Sequence, residues 1–437
     1  MTASSLIVLV VDRLGAGWLG PHGATWIDTP SFNRLAAASL LCENALADSP
    51  SLEQAYRGYL LGQHALASAA GREAWHKLQA RLESTGDSLL AAEPPLTAPP
   101  SLPWLKVAEA NATRTILLTD DPDVARYDVC QAFAEHIVLP VSDPSEPADD
   151  VDATSLAHLF EAAADTLRSL SSPFVLFIHA RGMAGPWDAP LELRNRFADE
   201  DDPTPPTFVT PPNLRATPQF DPDELLGYRQ AYAGQITLLD MCLGMLLDEI
   251  DRQPWAQQTA LMVTSPRGYP LGHHGRIGPC DEALYGDLLH VPLLLRLPDK
   301  STLAQRRRGI VQTSDIAATI TDLLTPANST SAPARSLLRL LREHQPAEWQ
   351  IGCALGPDQR LIRTPAWLMR ESLLGDHLHH ELFVKPDDYW EVNEIASRGG
   401  DIVQLLAAEL DRRHREFLAG GSAQSAPLPE PLTSVWR

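Results

Sequence analysis

The feature that most narrows the fold is a set of apolar runs with no polar alternation. They are LIVLVV (6–11), TILLT (115–119), FVLFIH (174–179), ALMVT (260–264) and VPLLLRL (291–297). A strand with one face in water alternates polar and apolar residues, so unbroken runs are expected where helices cover both faces of a sheet. Between them, residues 31–39, 53–70, 155–170, 223–251 and 313–324 carry apolar side chains at the three- and four-residue spacing of a helix. Strand and helix alternate, which predicts an α/β/α sandwich on a mostly parallel central sheet, with ligands at the carboxyl ends of the strands.

Helix starts are marked by Thr29-Pro30 and Asp221-Pro222, each a capping oxygen beside a proline suited to a first turn. Ser51, followed three residues later by Gln54, predicts a capping box, so SPSLEQAYRGYLLGQ (49–63) reads as a loop entering a helix. Residues 93–103, 141–152 and 198–224 are Pro-rich or acidic and read as surface loops, the last long enough to lie over a site as a lid. Past TPANSTSAPA (325–334) the pattern changes to the short strands WQIGCAL, LIRTPAWLMR and HHELFVK and the helix DIVQLLAAELDRRHREFL. Residues 1–330 therefore read as one α/β domain and 331–437 as a smaller α+β subdomain.

The chain is 437 residues long and 44% apolar, enough for one large core or two unequal ones. Its 56 acidic and 35 basic residues give a formal charge of −21, which repels nucleic-acid phosphates and anionic headgroups. Neither nucleic-acid binding nor membrane insertion is expected. SLIVLVVD (5–12) is too short to span a bilayer and follows no basic segment, so it reads as a core strand rather than a signal peptide. The cysteines at 42, 130, 242, 280 and 353 form no Cys-x-x-Cys pair and read as buried thiols. Together these point to a cytoplasmic protein.

Five segments in order resemble the sulfatases of the alkaline phosphatase superfamily. VVDRLGAGWLGPHG with TPSFNRLAAAS resembles the family's opening, a strand ending in Asp-Asp-x-Gly followed by Thr-Pro-x-x-x-x-Leu-Ala. ALMVTSPRGYPLGHHG is similar to Thr-Ser-Asp-His-Gly with Gly-x-His-Gly, and LYGDLLHVPLLLRLP to Tyr-Glu-Glu with its Val-Pro strand. SDIAATITDLL and ELFVKPDDYWEVNEIA resemble the later helix and the C-terminal motif. The resemblance implies an alkaline-phosphatase-like sandwich and a chemistry of four parts. These are a divalent cation, usually calcium, held by carboxylates; a Cys or Ser nucleophile in Cys/Ser-x-Pro-x-Arg; basic side chains around the sulfate; and an acid for the leaving group.

Carried over position by position, the first paired aspartate is Asp12, but the second is Arg13; the downstream Asp-His pair is Pro266 and Arg267. A guanidinium about 4 Å from a divalent cation would repel it by roughly 8 kcal/mol at an effective dielectric near 20. The nucleophile falls at Leu52, the motif proline at Gln54 and the motif arginine at Tyr56. A branched alkane has no lone pair and cannot attack sulfur or phosphorus. The lysine four residues before the family tyrosine falls at Asp281, a reversal of charge, while His274 keeps the family histidine and His179 stands at a strand end.

Each position also has a bland reading. Asp12 either ligates a metal or pairs with Arg13 or Arg267, whose fork can bridge carboxylates in place of an ion. Ser49 or Ser51 is a substitute nucleophile or, for Ser51, a helix cap. His273 and His274 are ligands or solvated loop side chains; Arg57 replaces the motif arginine or faces solvent. His179, Arg181, Trp187 and Asp188 form a pocket for an anionic or sugar ligand, or Trp187 plugs the old cleft. The expected protein is a sulfatase-like pseudoenzyme without a metal, its arginines 13, 57, 181 and 267 suited to an anion such as a sulfated or phosphorylated sugar. The rivals are a sulfate- or phosphate-ester hydrolase using calcium or another divalent metal, with His179, His273 and His274 around a transition metal, and a non-catalytic scaffold that docks an active sulfatase.

Overall fold

A computed structural model describes residues 3–85, 103–280, 282–325, 335–342, 349–374, 377–420 and 427–435, so Asp281 lies outside the described residues. Along the chain the strands are β1 (Ser5–Val11), β2 (Leu40–Leu46), β3 (Arg114–Thr119), β4 (Glu135–Val138), β5 (Phe174–Ala180), β6 (Leu214–Arg215) and β7 (Thr259–Thr264). They continue as β8 (Arg276–Ile277), β9 (Leu293–Arg296), β10 (Gln305–Gln312), β11 (Gly352–Leu355), β12 (Gln359–Arg363), β13 (Trp367–Leu374) and β14 (His377–Val384).

The main sheet runs β10-β2-β9-β7-β1-β5-β3-β4, parallel except for β9, which opposes β7 and β2. Strand β1 sits at its centre, with Leu9 opposite both Ile178 and Val263. Its alternate side chains feed two cores: Leu6, Val8 and Val10 meet the helices Leu52–Leu61 and Asp315–Leu324 on one face. Ile7, Leu9 and Val11 meet Ser155–Ser169 and Pro222–Arg252 on the other. That two-sided burial is why the run carries no polar alternation.

Three local expectations change. The helix expected over 53–70 stops at Leu61, because Gly62 turns left-handed (φ +69°) and its N–H closes on Gly58 O at 3.0 Å. A separate helix, Ala69–Thr85, follows. Thr29 does not cap the Pro30–Ala37 helix; its hydroxyl accepts from Gly20 N, and the orphan amides of Ser31 and Phe32 donate to the Asp240 carboxylate at 3.0 and 2.9 Å. LIRTPAWLMR is two strands, β12 and β13, turned at Thr364, whose N–H reaches Trp367 O at 2.8 Å.

Strands β11–β14 form an antiparallel sheet under the helix Gly400–Leu418, which buries Ile402, Leu406 and Leu410 on it. The expected C-terminal subdomain is present, and its boundary near 330 lies outside the described residues. Cys42, Cys130, Cys242 and Cys353 are buried free thiols, and Cys280 is half-exposed. Among the described residues no helix is long and apolar enough to cross a membrane.

Candidate functional site

The parallel strands deliver their carboxyl ends to one edge of the sheet: Asp12 after β1, Asp120 and Asp121 after β3, His179 near the end of β5, and Ser265–Arg267 after β7. Ser265 ties two of these loops together, its hydroxyl accepting from Leu14 N at 3.1 Å and donating to Arg267 O at 2.7 Å.

Arg267 is the centre of the arrangement. Its Nε and Nη2 donate to Asp12 Oδ1 and Oδ2, each at 3.0 Å, and its Nη1 donates to Pro50 O at 2.8 Å. One planar fork thus joins the end of β1 to the loop after β2. Glu282 stands 3.8 Å from Nη1. Burial opposes the charge on Asp12, but the Arg267 guanidinium outweighs it and holds the carboxyl below its usual value. Burial likewise opposes the charge on Arg267, and Asp12 more than restores it. The pair is ionised.

Around it lie polar atoms with no hydrogen-bond partner among the described residues: Arg13 Nη1, both ring nitrogens of His179 and the Tyr56 hydroxyl. Arg13 is buried in a left-handed conformation (φ +59°), strained for a residue with a side chain, and its carbonyl accepts from the Tyr232 hydroxyl at 2.9 Å. Burial and the neighbouring Arg267 charge lower Arg13 to about 10. His179 is fully buried, edge-on to Tyr56 with ring centroids 5.6 Å apart and 3.9 Å from Asp121. Burial favours its neutral form against the pull of Asp12 and Asp121, and its pKa stays below the usual value.

The loop after β2 enters the helix Leu52–Leu61 with Ser51 as its cap, the hydroxyl accepting from Gln54 N at 3.4 Å. Leu52, the first helical residue, is packed into the core beside Ala55 and Tyr56, and that position offers no reactive side-chain atom. Asp12, Leu52 and Arg267 therefore converge, joined through Pro50 O.

The sulfatase family model matches residues 120–326. Over those residues, just under half of the chain, the sequence is similar to the sulfatase family. The multifunctional alkaline phosphatase superfamily protein PehA of Trinickia caryophylli is 30% identical over 135 residues, which span 30% of this chain and 25% of that protein. The crystal structure of the phosphonate monoester hydrolase of Agrobacterium radiobacter matches with a TM-score of 0.70 at 16% identity, over 94% of this chain and 96% of that one. A protein solved with its substrate, D-glucosamine-2-N,6-O-disulfate, matches at 0.68 and 15% identity over 95% and 98%. The phosphonate monoester hydrolase of Silicibacter pomeroyi matches at 0.65 and 15% identity over 94% and 95%. The structural likeness is one of fold, an alkaline-phosphatase-like sandwich.

Sulfatases hold a divalent cation among carboxylates, and the residues here do not fit one. Both Asp12 oxygens accept from Arg267 and the adjacent position is Arg13, so a cation at Asp12 would have to displace one guanidinium and face another. Among the described residues no three His, Cys, Asp or Glu side chains gather as a metal-holding group, so His179, His273 and His274 form no transition-metal cluster. His274 instead stacks on Tyr285 at 3.7 Å and meets Trp390 O at 3.0 Å, while His273 stacks on Trp390 at 4.2 Å.

Other positions singled out in the sequence also lie elsewhere. Arg57 is spent on Asp128 at 2.8 Å and Glu53 at 3.4 Å, away from Asp12. Trp187 offers no stacking face: it is 0% exposed, packed on Tyr232 and Tyr269, with Nε1 on Met183 O at 3.0 Å. The loop expected as a lid seals this plug, Val209 O accepting from Trp187 N at 2.7 Å. Asp188 is buried and caps the Ser155–Ser169 helix, accepting from Ser155 N at 2.7 Å. Arg181 lies at the strand ends with its N–H on Asp120 at 2.8 Å, half-buried. Burial raises Asp120 to about 6, against that hydrogen bond. Asp120, Asp121 and Glu282 went unread in the sequence, although the first two directly follow TILLT, where ligands of a parallel sheet gather.

Proposed function

We propose that this sulfatase-fold chain is a pseudoenzyme, a binding protein rather than a metal-dependent ester hydrolase. The observation that carries the reading is the three-point grip of Arg267 on Asp12 and Pro50 O, at the carboxyl ends where the family keeps its cation. A guanidinium there balances the carboxylate charge, ties the loop after β2 to β1, and repels any cation that approaches. Leu52 at the head of the helix supports the same conclusion, since it supplies neither a nucleophile nor a formylglycine precursor.

The ligand we propose for this edge is an anion of the sulfate or phosphate ester class, such as a sulfated sugar. It is supported by the unpartnered Arg13 nitrogen beside Arg267 and by the disulfated glucosamine substrate of a structural neighbour. The test combines metal analysis, hydrolysis of 4-nitrophenyl sulfate and phosphate, and titration with D-glucosamine-2-N,6-O-disulfate. We expect no stoichiometric metal, no turnover above the uncatalysed rate, and saturable binding that weakens in Arg13→Gln. Stoichiometric calcium with turnover, both abolished in Asp12→Ala, would overturn the reading.

A further inference from the structure

A second cavity, about 730 Å³, opens between the loop after β1 and residues 385–391 of the C-terminal subdomain. None of its lining residues is Asp12, Arg13, Pro50, Leu52, His179 or Arg267. We infer that it is a binding site for an uncharged saccharide, held by aromatic side chains on its facing walls and by a polar floor. This inference stands whether or not the Asp12–Arg267 edge hydrolyses anything.

The walls are built rather than accidental. Trp18 and Trp26 come from the loop after β1; Tyr389 and Trp390 come from the C-terminal turn, and Trp26 and Trp390 remain 44% and 48% exposed at the rim. The turn is fastened by Lys385 Nζ, which donates to Asp388 O at 2.8 Å, Tyr389 O at 3.1 Å and Glu391 at 2.9 Å. Glu391 also accepts from Gly286 N at 3.1 Å. Tyr389 fits against Gly17 so closely that a Cβ there would lie 2.6 Å from its hydroxyl.

The floor selects the class of ligand. Asp287 is half-buried with its Oδ2 enclosed, and that oxygen has no hydrogen-bond partner among the described residues, with His273 Nδ1 standing off at 3.8 Å. Burial lowers His273 and His290 to about 4, which leaves both rings neutral, and pushes the Asp287 carboxyl up to about 7, between its two forms. An apolar aromatic guest would leave these donors and acceptors desolvated and unpaired. The lining interleaves the carboxylates of Asp199, Asp202, Asp287 and Glu391 with Arg229, Arg363 and Lys385, so neither an anion nor a cation meets a wall of one opposite sign. A sugar ring has an apolar face for the tryptophans and hydroxyls that both donate and accept. The volume falls within the roughly 300–1,000 Å³ of small-ligand sites.

The test passes the full chain over an array of neutral and sulfated oligosaccharides, then titrates the retained neutral oligosaccharide by tryptophan fluorescence. We expect a neutral saccharide to bind, excess inorganic sulfate to leave its affinity unchanged, and Trp390→Ala and Trp26→Ala, both at exposed positions, each to weaken it by about tenfold. Retention of sulfated sugars alone, competition by sulfate, or affinity within twofold of wild type in both variants would overturn the inference. Failure of this cavity leaves anion binding at Arg13 untouched, because that is read with the disulfated glucosamine probe.

Discussion

Arg267 holds Asp12 through two parallel hydrogen bonds of 3.0 Å, between residues 255 positions apart in sequence. The side chains are 14% and 2% exposed, so the pair is largely out of water, and its worth lies mainly in what breaking it would expose.

Arg267→Ala strands the Asp12 carboxylate and the Pro50 carbonyl. We expect a loss of about 3–5 kcal/mol in urea unfolding at pH 7, the usual cost of orphaning one member of a buried pair. In the wild type Asp12 titrates below its unfolded value, so the pair's contribution is complete above about pH 4 and fades as the pH falls through the lower, folded value. A loss under about 1 kcal/mol would mean that the grip is ornamental.

Asp48 follows β2, and burial pushes its carboxyl up to about 7; one of its oxygens has no hydrogen-bond partner. Between about pH 4 and pH 7 the folded chain keeps a proton that the unfolded chain releases, so stability falls as the pH rises across that window. Asp48→Asn removes the charge at near-constant shape. It should gain about 1–3 kcal/mol at pH 8 and little at pH 4, read from urea midpoints. An equal change at both pH values would rule out titration as the cause.

Trp187→Ala empties the aromatic plug shared with Tyr232 and Tyr269. A cost of about 3–5 kcal/mol in thermal or urea unfolding is expected, with saccharide binding at the second cavity unaffected in the folded fraction. If stability were kept but binding lost, Trp187 would be a ligand contact after all.

The sandwich was legible because runs such as LIVLVV and FVLFIH are buried on both faces, and such burial writes itself into composition. The pairing of Asp12 with Arg267 was legible too, as one of two alternatives, because charge balance limits what can sit beside a buried carboxylate. Trp187 and Asp188 were left open between a ligand pocket and a plug of the cleft. A residue at a strand end faces either the cleft or the core, and only the packing of Tyr232, Tyr269 and Val209 decides which. Strand β10, QRRRGIVQ, was missed because an edge strand half in water can be mostly polar. The cap from Asp240 was invisible for a different reason: it reaches Phe32 across 208 residues, where local pattern carries no information.

The central seat of β1 bears on how the chain is made. Strand β1 has both neighbours, β5 and β7, encoded far downstream of it, and the Pro30–Ala37 helix waits for Asp240 to close its first turn. Strand β1 therefore has no sheet partner until Phe174–Ala180 has been made, and gains its second only with Thr259–Thr264. Pairing across such sequence separations makes folding slow, because the intervening loops must close before any contact rewards them.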